Sequence, residues 1–145
     1  MMTKGIEPRV SRALRMVVEH DTRDTRAHLY DALQHHRLIL PLAEKPKNLE
    51  AAADGRVIRF PDLDFFVTEN ARVGRILDLF TAPQCMDKWK ENVPTWIAID
   101  TPTLCRLALK FKISRVRIDF GSHLSVQLAH PEIENLAARD AGEAT

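Results

Sequence analysis

The chain has 145 residues, 45% of them apolar and 28% charged, with 21 Lys and Arg set against 20 Asp and Glu. A chain of that length can bury about two-thirds of its unfolded surface in one domain, and its composition excludes a disordered, collagen-like or membrane-spanning polymer. The near-zero net charge leaves no long-range field to attract nucleic acid or an anionic bilayer, so neither is expected as a partner and any polar recognition is local.

The start of the chain carries charges and Pro8 where a signal peptide needs an apolar core, which makes the cytoplasm the expected location. Val10, Ala13, Leu14, Val17 and Val18 recur at helical spacing and predict a helix over 8–20. Asp21 and Thr22 can cap a second helix with Leu29, Tyr30 and Leu33 on one face and Asp24, His28, Asp31 and His35 on the other. Residues 37–42 read as a short buried strand ended by Pro41, and 43–56 as a loop with an Asp54-Gly55 turn. Strands are expected over 57–60, 63–68 and 75–81, the last two joined as a hairpin across 69–74.

A short helix over 83–91 should turn Met86 and Trp89 inward, ahead of a strand over 95–99. Thr101-Pro102 starts the next helix, with Thr as cap and Pro in the first turn. Its residues Leu104, Cys105, Leu107, Ala108, Leu109 and Phe111 cover more than half the wheel, so it must pack deeply. In the strands over 114–119 and 123–128, a two-residue turn at Gly121-Ser122 would set Ile118 against Ser125 and mix the faces. An odd-numbered loop bulged at Gly121 pairs Ile118 with Leu124 and Val116 with Val126. The polar face then carries Arg115, Arg117, Asp119, His123, Ser125 and Gln127. A short helix through Leu136 follows Pro131, and residues 139–145 form a frayed tail behind a single domain over 1–138. The order of elements predicts an α+β fold: a mixed sheet of about five to seven strands packed with helices in two or three layers.

Several segments have a familiar form. Ala27-His28-Leu29-Tyr30-Asp31-Ala32-Leu33 through Leu38-Ile39-Leu40-Pro41 is an aromatic-bearing helix running into an apolar strand that ends at proline. Ile76-Leu77-Asp78-Leu79-Phe80-Thr81-Ala82-Pro83 through Trp89 is a strand closing on Phe-Thr, followed by a short helix with a tryptophan. Together with the helix over 101–111 that leads to Val116 and Ile118, these resemble the SseB N-terminal domain family over roughly residues 11–128. Where that family often closes a strand on Asn-Pro-Gly, this chain has Arg117-Ile118-Asp119-Phe120-Gly121. The resemblance implies a bacterial α+β protein with a regulatory or adaptor role and no enzymatic chemistry.

The residues themselves support the same expectation. Gly5, Gly55, Gly74, Gly121 and Gly142 stand too far apart to cradle a phosphate, and no GxSxG elbow occurs. His28 and His35 are two helical turns, about 10 Å, apart, too far to share one ion, and their face reads as solvated. Cys85 and Cys105 form no CxxC pair, so no disulfide framework is expected. Cys85 lacks a nearby base in sequence and Cys105 lies on an apolar face. Asp78, flanked by leucines in a strand, needs an edge or a partner such as an arginine. Lys110, Lys112, Arg115 and Arg117 are the one basic cluster and read as guards of a sheet edge rather than phosphate contacts.

The expectation is therefore an interaction module without catalytic residues, metal or cofactor, binding another protein through Arg115, Arg117, Asp119, His123, Ser125 and Gln127. The same sheet edge would allow a homodimer. The alternatives are a toxin-neutralising immunity protein and a small metal-binding protein built on the His28 edge.

Overall fold

The structure, a computed structural model, describes residues 8–43, 65–86, 89, 93 and 95–140. The predicted strand over 57–60 and the predicted loop beyond Ala43 lie outside the described residues, as does the tail over 141–145.

Two amphipathic helices open the fold, α1 (Pro8–Glu19) and α2 (Arg23–Gln34). Thr22 caps α2 through a reciprocal pair of bonds with Thr25. Strand β1 (Arg37–Leu42) follows, then β2 (Val67–Asn70) and β3 (Gly74–Leu79), a 3₁₀ turn at Pro83–Met86, and β4 (Thr95–Asp100). The chain continues through α3 (Thr101–Lys110), β5 (Ile113–Ile118), β6 (Val126–Ala129) and α4 (His130–Ala137).

The α+β class is as expected, but the strands divide into two sheets. One is the antiparallel pair β1–β4, and the other runs β2-β3-β5-β6 with β3 and β5 parallel. Two isolated bridges link β1 to the flanks of the second sheet: Leu42 with Phe65, and Ile39 with Phe80, the latter pair exchanging both main-chain hydrogen bonds at 2.7 and 3.1 Å. One sheet face presents Leu38, Leu40, Leu42, Leu77, Leu79, Val116, Ile118, Val126 and Leu128 to a core completed by α1, α2, α3 and α4. On the opposite face Ile39 and Phe80 gather Met86, Trp89 and Ala98 into a smaller apolar cluster. That double covering explains why β1 reads as a continuous apolar run.

Three local readings are corrected. Asp100, not Thr101, caps α3: its carboxylate accepts from the Thr103 N–H at 2.9 Å, while the Thr101 hydroxyl donates to the His36 carbonyl at 2.9 Å. The loop between β5 and β6 is odd-numbered, but Ile118 pairs with Val126 and Val116 with Leu128, so the register lies two residues from the predicted one. Arg139 is held rather than frayed, its guanidinium donating to Asp31 at 2.9 Å and to Asn135 at 3.0 Å. Gly74 is required where β3 meets a bulge in β5: its φ is +101°, and a Cβ there would stand 2.5 Å from Ser114 Oγ.

Candidate partner-binding site

The residues expected to bind a partner lie on β5, on β6 and in the loop between them, and β5 is interior to its sheet, between β3 and β6. Arg115 and Arg117 therefore guard no edge. The parallel register sets Arg117 beside Asp78, and the guanidinium holds that carboxylate with two bonds, Nε to Oδ1 at 2.7 Å and Nη2 to Oδ2 at 2.8 Å. Trp89 Nε1 donates to the same carboxylate at 3.1 Å. A buried charge is tolerated when it is paired and hydrogen-bonded, and Asp78 meets both conditions. Of the two alternatives open for Asp78, an edge position or a partner, the structure gives the partner, and it is Arg117.

Above this pair sits Phe120, with Arg117 Cζ 3.6 Å from its ring centroid and the ring 42% exposed. Arg115 Nη1 donates to Gln127 Oε1 at 2.7 Å across the β5–β6 pair. The other predicted residues are dispersed. His123 and Ser125 belong to the loop after β5 and not to a strand, and Asp119 turns into the protein with φ +56° and 2% exposure.

Asp119 closes a small polar network at the end of β3. Its carboxylate accepts from the Thr81 N–H at 2.8 Å and the Thr81 hydroxyl at 2.7 Å, while its own N–H donates to the Leu79 carbonyl at 2.9 Å. His36 Nε2 lies 3.2 Å from the Thr81 carbonyl, and Cys85 Sγ 3.7 Å from the Thr81 hydroxyl. Burial pushes the Asp119 pKa above the ordinary carboxylate range, against the pull of the Thr81 bonds. Burial, and then the Asp119 charge, push the Cys85 thiol up as well, so it is held protonated. Cys105 in the core is pushed up to about 12 by burial.

Over this network lies an open groove of about 420 Å³ lined by Gln84, Cys85, Gly121, Ser122 and His123. Cys85 and His123, distant in sequence, share its wall. A family model for the SseB protein N-terminal domain matches residues 10–135. The chain belongs to the SseB N-terminal domain family. No match was found among curated proteins or among solved structures.

In this SseB domain the Phe-Thr at the end of β3 has a structural meaning. Phe80 is fully buried and joins the two sheets, while Thr81 anchors the loop that bears Phe120 and the groove. Sequence reasoning missed Phe120, Thr81 and His36. The one local signal was an aromatic residue beside a glycine, just after the alternation of β5 ends. Asp31 is bonded to Arg139, and among the described residues no group of three or more His, Cys, Asp or Glu is placed to hold a metal ion. No helix among the described residues is long and apolar enough to cross a membrane.

Proposed function

We propose that this SseB domain is a non-enzymatic interaction module of the bacterial cytoplasm that regulates or adapts another protein. The observation that carries the reading is the exposed Phe120 ring stacked on Arg117, at a loop whose other residues wall an open groove. Aromatic and arginine side chains are the usual anchors of protein interfaces, and an anchor already fixed in place loses little entropy on binding. Arg117 is fixed by Asp78 and Asp119 by Thr81, which commits these three ionisable groups to building the surface. A protonated Cys85 thiol is a poor nucleophile, which also favours binding over chemistry.

The test is affinity capture from the native host with quantitative mass spectrometry, comparing the wild-type chain with Phe120→Asp and with Lys110→Asp as a surface control. A protein retained by the wild type and the control, and depleted at least about tenfold by Phe120→Asp, is the expected result. Turnover of a small metabolite by the purified chain without any partner would overturn the reading.

A further inference from the structure

We propose that the chain pairs with a second copy of itself along the outer edge of β4, on a surface separate from the Phe120 loop. The argument starts from the polarity of β1. Ile39 spends both its N–H and its carbonyl on Phe80, so its main-chain groups point away from β4. Bonded and non-bonded pairs alternate along an antiparallel ladder. Ile39↔Ala98 is therefore a non-bonded pair, and so are Arg37↔Asp100 and Pro41↔Trp96. The ladder is carried by Leu38↔Ile99, Leu40↔Ile97 and Leu42↔Thr95, which is why Pro41, with no N–H to give, sits in this strand without cost.

It follows that the N–H and carbonyl of Trp96 and of Ala98 point outward from β4. Neither residue's outward groups have a hydrogen-bond partner among the described residues. Among the described residues nothing guards this edge. Its first five residues, Thr95, Trp96, Ile97, Ala98 and Ile99, carry no charge, and the Trp96 side chain is 40% exposed. Natural edge strands are normally blunted by charge, proline or a covering element, so an edge that no described residue covers calls for an occupant.

A second copy fits this edge by shape and by charge. In the antiparallel register that places Ile97 on the two-fold axis, Trp96 faces Ala98 of the partner subunit and Ala98 faces Trp96 of the partner subunit. Both are outward-bonded positions, and each pair exchanges both N–H···O bonds. The large indole then covers the small methyl on each side, a cross-strand fit that other registers lose by stacking Trp96 on Trp96 or Ala98 on Ala98. Asp100, the strand's charged residue, falls beyond the paired stretch, so no like charges face one another. The result is a four-stranded β1-β4-β4-β1 sheet with isologous contacts.

Analytical ultracentrifugation of the full chain, from about 1 μM to a few hundred μM, tests this; an edge contact of this size belongs to the weak class. The expected result is a sedimenting mass that rises with concentration to twice that of the chain. Ala98→Pro removes one outward donor from a position outside the β1 ladder and should weaken association at least about tenfold. Trp96→Lys, on an exposed side chain that the fold does not need, should abolish it, and this keeps the test open should Ala98→Pro fail to fold. A chain monomeric throughout, a dimer insensitive to both substitutions, or a monomer that takes up an unrelated extended peptide at Trp96 would each overturn the proposal.

Discussion

Strands β4 and β6 both lie at the limit of their sheets, and they are finished in opposite ways. At β6 the Gln127 carbonyl accepts from Arg26 Nη1 at 3.1 Å and the Ala129 N–H donates to Glu132 Oε1 at 2.7 Å. Arg26 and Glu132 are themselves paired at 2.7 Å, Arg26 is clamped by Asp21, and the Tyr30 hydroxyl donates to the same Glu132 carboxylate. Helices α2 and α4 thus seal that edge with charged side chains. At β4 the outward groups of Trp96 and Ala98 meet nothing comparable among the described residues. Edge closure in this domain is local, built by particular side chains. A fold can therefore leave one edge available while denying another.

The largest expected effect comes from breaking the sealed edge. Glu132→Ala removes the acceptor for Arg26, Tyr30 and the Ala129 N–H together, and should destabilise the domain by about 3 kcal/mol in chemical denaturation. A change under about 1 kcal/mol would mean that the seal is decorative.

Next comes Tyr30, the chain's one tyrosine. Burial, and then the Glu132 carboxylate, push its pKa up to about 12. An unfolded phenol ionises near 10. The stabilisation is thus fully present below pH 10 and is lost as pH rises from there toward 12. Absorbance titration should give a midpoint well above 10 in the folded chain and a lower one in Glu132→Gln; equal midpoints would remove Glu132 from the account.

The smallest effect sharpens the other side of the comparison. Pro41→Ala supplies an N–H that points away from β4, so stability should move by less than about 1 kcal/mol. A larger gain would show that residue 41 faces the ladder, which would turn Trp96 inward and close the β4 edge.

Much of this fold was legible in the sequence because its signals are local. Helical periodicity predicts α1, α2 and α3, apolar runs predict β1 and β3, and a carboxylate between leucines called for an edge or a partner, the latter being what Arg117 supplies. The misreadings share a physical cause. A slip of two residues leaves every side chain on its own face, so the alternation in β5 and β6 could not separate Ile118↔Leu124 from the observed Ile118↔Val126. Ladder polarity has no signature in side-chain pattern either, so Pro41 read as a strand end although it pairs within the strand. Trp89 and Met86 do pack inward, but the expected helix over 83–91 is, among the described residues, a single 3₁₀ turn, Pro83–Met86. The groove is the least legible feature, because Cys85 and His123 meet only through the parallel pairing of β3 with β5.

The seal at β6 also ties distant stretches of the chain to one another. Arg26, Tyr30, Asp31 and Gln34 find their partners Glu132, Arg139 and Asp140 more than 100 residues further along the sequence. Leu29 and Leu33 lie on the helix that carries these anchors, so a change that loosens α4 also loosens the cover over that part of the core.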